Sequence, residues 1–188
     1  MSLELAIVIA AINGDKLSPK ITESTKYKHW LTVEDLKRCL ECARYHGKIY
    51  LMEEIVNPEP PLHQNCRCYI EKMKSIQAGT ATINGVDGAD WSLKYDGRLP
   101  EYYVTRQELK ALGWKYGDKV SKFVYGKTFA NGIYRNDDAH LPQKAGRVWY
   151  EADINYKTGK RNKQRILWSN DGLIFVTYDH YETFYEIV

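Results

Sequence analysis

The chain has 188 residues, of which 44% are apolar and 27% charged, a composition typical of a globular protein rather than a disordered one. Its apolar runs are all shorter than the ~18 residues that a membrane-spanning helix needs, which excludes a transmembrane span. The 27 basic and 24 acidic residues give a net charge of +3, which permits a polyanionic partner without requiring one. The 15 tyrosines, against 4 phenylalanines, suit a sheet with a hydrated, ligand-facing surface.

The first predicted elements lie in the N-terminal third of the chain. Residues 5–12 are apolar but lack a preceding basic region and a convincing cleavage site, so we interpret them as a helix or strand and not as a clear signal peptide. Thr32, followed by apolar residues at helical spacing, predicts a helix over residues 30–48. The proline-rich residues 57–61 then impose an extended chain.

The four cysteines form two closely spaced pairs. Cys39 and Cys42 lie three apart on the predicted helix, and Cys66 and Cys68 lie two apart in an extended segment, so each pair shares a face. Four thiolates, or three together with His63, are enough for a tetrahedral zinc site. Such a closed site has no open coordination position, so we expect any zinc here to be structural. Two disulfides or four reduced thiols are alternatives that the spacing leaves open.

A change in composition predicts the division of the chain. Residues 73–90 are rich in Gly, Thr and Ala, which is typical of a connection between modules. We place the boundary near Gly79. It separates a helical, Cys-rich module over residues 1–79 from a second domain over residues 80–188.

The second domain is predicted to begin with helices and to continue as strands. A short helical or loop stretch surrounds Trp91, and Thr105 with Glu108 forms a capping box that starts a helix over residues 105–112. Helices followed by a meander predict an α+β fold, with N-terminal helices packed on a twisted antiparallel β-sheet. The β-like runs, rich in Val, Ile and aromatic residues, are residues 133–135, 147–156, 164–169, 172–178 and 181–187.

Charged residues of adjacent strands are predicted to meet on one face of this sheet. Alternation places Glu151 and Asp153 on the same face of their strand. A carboxylate in mid-strand is disfavoured unless a cation meets it, and Arg161 and Arg165 follow at matching parity. His180 lies at the turn before the last strand.

This set of side chains fits metal-free RNA cleavage. A base removes the proton of the 2′-hydroxyl, an acid protonates the leaving 5′-oxygen, and fixed cations hold the pentavalent phosphorane. Glu and His suit these roles at neutral pH if arginines keep the Glu ionised and a nearby carboxylate keeps the His protonated. A structural ion pair and a surface histidine would explain the same residues without catalysis, and spacing alone does not separate the two interpretations.

Specific motifs run almost without gaps through residues 98–188. They are Leu99-Pro100-x2-Tyr103-Val104-Thr105, Ala111-Leu112-Gly113-Trp114, Leu141-Pro142-x-Lys144-x-Gly146-Arg147-x-Trp149-x-Glu151-Ala152-Asp153-Ile154-Asn155-Tyr156, Arg161-Asn162-x2-Arg165-Ile166-Leu167 and Thr177-x-Asp179-His180-Tyr181-x-Thr183-Phe184. In these motifs the segment closely resembles the barnase-like microbial ribonucleases of the guanyl-specific N1/T1 class. The resemblance implies an endoribonuclease that cuts single-stranded RNA through a 2′,3′-cyclic phosphate, with no metal in catalysis.

The resemblance also implies a role for each matching catalytic position. Glu151 is implied to be the general base and His180 the general acid. Arg161 and Arg165 are implied to bind the scissile phosphate. Arg106 stands where the family has a lysine near that phosphate, so the charge is kept and its geometry changes.

The base-binding loop departs from the family. Tyr181 is implied to lie against the substrate. The guanine loop corresponds to Tyr134-Arg135-Asn136-Asp137-Asp138. Asp137 replaces a family arginine, and Asp138 is one methylene shorter than the family glutamate. We therefore expect weaker phosphate and base contacts, a less certain guanine preference, and weaker binding of the family's acidic protein inhibitor.

A second resemblance concerns the N-terminal module. The string Pro60-Pro61-Leu62-His63-Gln64-Asn65-Cys66-Arg67-Cys68, with Cys39-x2-Cys42 upstream, resembles a segment of phage minor-head (Mu F-like) proteins and of toxins that borrow it. It implies a toxin-like protein that acts extracellularly, secreted or phage-delivered, with an inhibitor or immunity protein as partner.

Two other functions compete with cleavage by this mechanism. One is a catalytically silent RNA- or protein-binding module of a phage head or toxin assembly. A zinc-dependent nuclease is weaker, because His63 has no further candidate ligands beyond the cysteines.

Overall fold

A computed structural model describes residues 17–33, 35 and 38–188; the predicted element at residues 5–12 lies outside them. Three α-helices are formed by the described residues: α1 (Leu40–Ala43), α2 (Ala89–Tyr95) and α3 (Arg106–Ala111), with 3-10 turns at Gly85–Asp87 and Val120–Lys122. The strands are β1 (Ile21–Leu31), β2 (Ile49–Leu51), β3 (Tyr69–Ile76), β4 (Tyr103–Thr105), β5 (Thr128–Tyr134), β6 (Trp149–Asp153), β7 (Arg165–Ser169), β8 (Ile174–Thr177) and β9 (Tyr185–Ile187). They form one nine-stranded sheet in the order β2-β1-β3-β9-β8-β7-β6-β5-β4.

The helix predicted over residues 30–48 is wrong. Residues up to Leu31 belong to β1, which pairs antiparallel with β3, and only α1 of this region is helical. Trp30 is fully buried and stacks on Tyr45 with ring centres 4.7 Å apart. Strand pairing and aromatic burial outweigh a short helical periodicity here. Cys39, not Thr32, is the N-cap, and its sulfur accepts a hydrogen bond from the Cys42 amide.

The N-terminal segment joins the sheet of the second predicted domain. β3 runs parallel to β9, with Ser75 opposite Glu186. The buried Ser24 hydroxyl donates a 2.6 Å hydrogen bond to the Glu186 carboxylate. The fold is therefore mixed α/β with a large sheet and few helices. The separate helical Cys-rich module is not confirmed, since this segment contributes three strands, and the division near Gly79 stays a prediction.

The second half of the chain follows the predicted element order except for β4, which was not predicted and lies between α2 and α3. The capping box is present: the Thr105 hydroxyl accepts from the Glu108 amide at 3.2 Å, and the Glu108 carboxylate accepts from the Thr105 amide at 2.7 Å. Strands β5 to β9 pair antiparallel in sequence, whereas β4 pairs parallel to β5. The strand predicted over residues 147–156 ends at Asp153, and Asn155 leaves it with a φ of +55°.

The two faces of the sheet pack against different neighbours. Ala152 of β6 packs in a core cluster with Ala89 and Leu93 of α2. Trp149 of β6 packs on the other side, with Phe175 of β8 and Tyr27 of β1. Residues of β6 at odd positions therefore lie on one face, as the alternation predicted, and this face points away from α2. None of the described helices is long and apolar enough to cross a membrane.

Candidate active site

Glu151 lies in the third strand from one edge of the sheet. It sits in mid-β6, opposite Gly132 of β5 and Leu167 of β7, and only 5% of the residue is exposed. Its Oε2 accepts a 2.6 Å hydrogen bond from the Tyr181 hydroxyl. Burial, followed by this bond to Glu151, raises the pKa of Tyr181, so the phenol stays protonated. A buried carboxylate is unfavourable without such a donor.

Two arginines converge on Asp153. Arg161 donates through Nε at 2.7 Å and Nη2 at 2.6 Å, a bidentate contact. Arg165 places its Nε 3.1 Å from Asp153 Oδ1, an ion pair without hydrogen-bond alignment. Sequence reasoning placed these cations against Glu151, but their direct partner is the fully buried Asp153. The sequence pattern placed Asp153 on this face of β6 but did not indicate that it is the partner of both arginines.

The two arginines differ in exposure. The Arg165 side chain is 5% exposed and donates through Nη1 to the carbonyls of Asn162 and Gln164, each at 2.7 Å. The Arg161 side chain keeps 24% of its surface exposed. Burial opposes a charged Arg161, but the hydrogen bonds and charge of Asp153 raise its pKa. Arg161 is therefore a fixed cation with an accessible side.

His180 occupies a strained turn after β8. His180 and Tyr181 have φ values of +68° and +74°, in a region that residues other than glycine rarely adopt. The Thr177 hydroxyl accepts from the Tyr181 amide at 2.9 Å and donates to Asp179 at 2.9 Å. The His180 amide donates to the Lys163 carbonyl at 3.1 Å. Such strain persists only where neighbours hold it, and it is concentrated at functional sites.

The electrostatic surroundings of His180 contradict the sequence-based expectation. Burial, followed by the charges of Arg165 and Lys163, lowers its pKa, while the charge of Glu151 opposes that shift. The charge of the Glu151 carboxylate does not outweigh these effects, so the condition that a nearby carboxylate keeps this histidine protonated is not supported. Asp179 is engaged elsewhere, since its Oδ1 accepts from Thr177 and from the Thr183 amide.

A cleft of about 380 Å³ brings His180, Arg161 and Arg165 together with Lys160 and Lys163. Glu151 does not line it; its link to this region is the neighbouring Tyr181. With Lys119, which also lines it, the cleft combines an imidazole with five cationic side chains, a composition suited to a phosphodiester.

Arg106 joins the same region from the start of α3. Its Nη2 donates to the Asn131 side-chain carbonyl. Its guanidinium carbon lies 5.9 Å from the ring centre of Phe129, and that of Arg161 lies 4.7 Å from the same ring. Phe129 thus holds the predicted third cation near Arg161.

Asn136 shapes the loop after β5. It is 4% exposed with a φ of +52°, and its side chain bridges both the amide and the carbonyl of Leu141, at 3.1 and 2.8 Å. Asp137 and Asp138 are exposed, and Asp137 forms a 3.0 Å ion pair with Arg135.

A ring stack connects this loop to Glu151. Tyr134 stacks on Tyr181 with ring centres 5.4 Å apart and planes 21° apart. Because the Tyr181 hydroxyl also contacts Glu151, the loop and the buried carboxylate share one support.

The cysteines meet His63 in a separate cluster. His63 Nε2 lies 3.3 Å from Cys39 Sγ and 3.2 Å from Cys42 Sγ, and Cys42 Sγ lies 3.7 Å from Cys66 Sγ. Cys42, Cys66 and Cys68 form a second ligand group that shares Cys42 with the first. All four thiols are free, so the disulfide alternative is not what this structure holds.

Comparison with known proteins covers the second half of the chain. A family model described as ribonuclease matches residues 89–188. A ribonuclease of Heyndrickxia coagulans is 42% identical over 109 residues, which are 57% of this chain and 99% of that protein. Ribonucleases of Bacillus intermedius and Bacillus pumilus are each 42% identical over 109 residues, which are 57% of this chain and 67% of theirs.

Proposed function

The chain belongs to the ribonuclease family, as the motifs of residues 98–188 predicted, and we propose that it cleaves single-stranded RNA by metal-free transesterification. Endoribonuclease activity is confirmed at the level of the family. The mechanism, the roles of individual residues and the base preference are the proposal. The observation that carries it is the position of the buried Glu151 beside the cleft of His180, Arg161 and Arg165, close enough for its charge to act on both His180 and Arg161.

We assign the proton transfers to Glu151 and His180. The Glu151 carboxylate removes the 2′-hydroxyl proton, the 2′-oxygen bonds to phosphorus, and the bond from phosphorus to the 5′-oxygen breaks. The His180 imidazolium gives its proton to that leaving oxygen, which yields a 2′,3′-cyclic phosphate and a free 5′-hydroxyl. In the slower second step, His180 removes a proton from water as the water oxygen bonds to phosphorus. The bond from phosphorus to the 2′-oxygen breaks, and Glu151 returns a proton to that oxygen, which leaves a 3′-phosphate.

Arg161, Arg165 and Arg106 are the proposed phosphate ligands. Guanidinium groups match phosphate oxygens bidentately, and groups already fixed in place need no reorganisation as negative charge develops. Arg161 is supported best, because Asp153 orients it while part of its side chain stays accessible. Asp153 acts through the arginines and is a positioning residue.

Base recognition is proposed for the loop after β5. The bridge from Asn136 to Leu141 supports a fixed loop whose amides read the base. Asp138 would accept from a guanine edge, with Tyr134 and Tyr181 as neighbouring rings. Asp137 is an acid where the family has a cation, and it forms an ion pair with Arg135. We therefore propose a weakened guanine preference.

Cleavage of an RNA oligonucleotide in EDTA tests the proposal. We expect undiminished cleavage by the wild-type chain and at least a 100-fold loss, the order attributed to one acid or base, in Glu151→Ala and in His180→Ala. Equal rates in all three proteins would overturn the roles. Binding of RNA without cleavage by the wild type would favour the silent binding module.

The cluster around Cys42 supports a structural zinc ion, which catalysis does not use. We propose Cys39, Cys42 and His63, whose ligand atoms lie within 4.8 Å of one another, as three ligands, and Cys66, whose sulfur is 3.7 Å from that of Cys42, as the fourth. Zinc–sulfur bonds of about 2.3 Å in a tetrahedron separate sulfurs by roughly 3.8 Å, close to the 3.7 Å between Cys42 and Cys66. His63 Nδ1 lies 2.8 Å from the Gln64 carbonyl, an arrangement that leaves Nε2 to the metal.

Metal analysis of the full chain tests the zinc site. We expect one zinc per chain, lost in Cys42→Ser and in His63→Ala. Cys68→Ser is the matched variant that separates this ligand set from the four-cysteine set of the sequence prediction, because it should keep the metal.

Delivery outside the producing cell, and control by an acidic inhibitor or immunity protein, are proposals that rest on the resemblances. The cationic cleft supports an acidic partner. Competition between RNA and a candidate immunity protein for the His180 cleft would test that partner.

A further inference from the structure

A second cleft separates the N-terminal strands from the loop that follows the base-binding residues. It has a volume of about 500 Å³. Lys48 and Tyr50 line it from the N-terminal side, and Lys144 and Arg147 line it from the other. The relatives match only part of this chain, and family recognition begins at residue 89. One wall of the cleft is therefore outside the matched ribonuclease segment.

This cleft continues toward the proposed base-binding loop. Lys144 and Arg147 also line an adjacent cleft of about 440 Å³, together with Tyr134 and Asn136. Tyr134 in turn stacks on Tyr181, the hydrogen-bond donor to Glu151. A strand of RNA leaving the loop on that side would meet the N-terminal residues.

A backbone contact fixes the two walls relative to each other. The Ile49 amide at the start of β2 donates a 2.8 Å hydrogen bond to the His140 carbonyl at the end of the loop. The adjacent Lys48 and Tyr50 are half-buried, so their side chains are partly ordered and partly open to the cleft. The N-terminal wall of the cleft is thus tied by the backbone to the wall from the ribonuclease segment.

The side chains in this cleft suit one nucleotide. Tyr50 stacks on none of the other described rings, whereas Tyr45 is occupied by Trp30 and by Lys48, whose Nζ lies 4.9 Å from its ring centre. Aromatic rings take up unpaired bases irrespective of sequence, and lysines contact the backbone phosphate.

The charges of the cleft leave two cations for a phosphate. Arg147 is neutralised by Asp171, at 2.8 to 3.1 Å, whereas Lys48 and Lys144 have no ion-pair partner within the described part of the chain. Glu54 also lines the cleft and keeps its negative charge while its Oε2 accepts from the Leu51 amide at 3.2 Å, so the three cationic side chains of the lining exceed its one acid.

We infer that the N-terminal strands supply a second nucleotide subsite, in which Tyr50 stacks a base and Lys48 and Lys144 hold the adjoining phosphate. The inference rests on the proposed ribonuclease function. It makes the N-terminal segment part of substrate binding, and it requires an RNA longer than the scissile dinucleotide.

Substrates of two lengths test the subsite by kinetics. The probes are a dinucleoside monophosphate and a ten-nucleotide DNA with one ribonucleotide, each with the base that the wild type cleaves best. For Lys48→Ala and Tyr50→Ala we expect KM to rise about fivefold on the longer probe with kcat unchanged, since one phosphate contact or stacked base is lost. The dinucleotide should show no change. Tyr50→Phe should restore the KM because it keeps the ring, and Lys20→Ala, an exposed lysine outside both clefts, is the control.

A non-cleavable probe keeps this inference separate from the proposed function. Binding of a ten-nucleotide 2′-O-methyl RNA is measured against salt, where loss of one phosphate contact lowers the slope by about 0.7. A wild type that binds the 2′-O-methyl RNA but cleaves neither of the two cleavable probes would refute the ribonuclease proposal and leave the subsite standing. Normal cleavage with unchanged binding and KM in Lys48→Ala and Tyr50→Ala would overturn the subsite, as would equal losses on both probe lengths.

Discussion

The Tyr181 hydroxyl donates a 2.6 Å hydrogen bond to the buried carboxylate of Glu151, and the same ring stacks on Tyr134. Tyr181 reaches this position only because the turn after β8 adopts left-handed backbone angles at two successive residues. The strained turn therefore determines the surroundings of the proposed base as well as the location of His180. A donor that holds the base in place also restrains it before substrate arrives.

Removing that donor should affect stability and activity together. In Tyr181→Phe the Glu151 carboxylate loses the one hydrogen bond described for its Oε2, and a buried group left without its partner destabilises by about 1–3 kcal/mol. We expect that loss in urea unfolding, with a lower kcat. Tyr134→Phe is the matched control, because it keeps the stack and its hydroxyl forms no hydrogen bond to the described residues. Equal stability of the two variants would show that the bond contributes nothing.

The pH dependence of cleavage should report the lowered pKa of His180. A general acid must be protonated, so kcat/KM should fall with rising pH from a value more acidic than the 6.5 of an ordinary histidine. Burial is the first cause and the charges of Arg165 and Lys163 follow. Lys163→Ala removes one of those charges and should move the descending limb to higher pH. The pH–rate profile and an NMR titration of the His180 imidazole measure this shift. A descending limb at the same pH in both proteins would contradict the assignment of His180 as the acid.

The same lowered pKa has a consequence for folding. Between the folded and unfolded pKa values of His180 the unfolded chain binds more protons, so stability rises with pH in that window. The contribution of His180 to the free energy of unfolding is fully present above about pH 6.5, and it is lost as pH falls through the lower pKa of the folded state. His180→Gln should remove this slope from the stability profile measured by urea unfolding at a series of pH values. An unchanged slope would assign the effect to other groups.

The sequence predicted the second half of this fold well, because its signals are local. The capping box of Thr105 and the alternation along β6 each depend on a few neighbouring residues, and both are present. The helix over residues 30–48 failed because Trp30 gains more from burial in a long-range strand pair than from local periodicity. Parallel pairing of β3 with β9 joins residues more than 100 positions apart, which composition does not encode.

The candidate site was predictable in its residue types but not in its pairing. Parity placed Glu151 and Asp153 on one face, and it could not decide which carboxylate the arginines would contact. The structure gives that contact to Asp153 and gives Glu151 a phenol instead. The lowered pKa of His180 depends on burial and on Arg165 and Lys163, which only the three-dimensional arrangement brings near it.

Asp153 should be more important for stability than any surface acid that pairs with arginine. Asp153→Asn leaves the largely buried Arg165 and the half-buried Arg161 without their counterion, and breaking a buried pair typically destabilises by about 3–5 kcal/mol. Asp171→Asn is the matched control: the Asp171 side chain is 34% exposed, and its ion pair with Arg147 should contribute about 1 kcal/mol or less. Urea unfolding measures both, and similar losses would contradict the anchoring role of Asp153.

Acid should weaken the ion pair between Asp171 and Arg147. The hydrogen bond from Arg147, then that from Ser169, lowers the pKa of Asp171 to about 2. Its stabilising effect is therefore present above its ordinary value of 3.8 and is lost as pH falls toward 2. The stability difference between wild type and Asp171→Asn should accordingly shrink between pH 4 and pH 2. A constant difference across that range would mean that the ion pair is not its source.

The two acids of the loop should affect RNA recognition differently. Asp138→Glu restores the longer side chain of the family, so we expect guanine discrimination to increase by about tenfold, the scale of one bidentate base contact. Asp137→Arg should instead strengthen binding to all RNA sequences and steepen the salt dependence, because it adds a phosphate contact without a base contact. A nearest-neighbour cleavage map at two salt concentrations separates these outcomes. Asp87→Glu, a same-charge change outside the loop, is the control, and a guanine preference unchanged by Asp138→Glu would remove that carboxylate from base recognition.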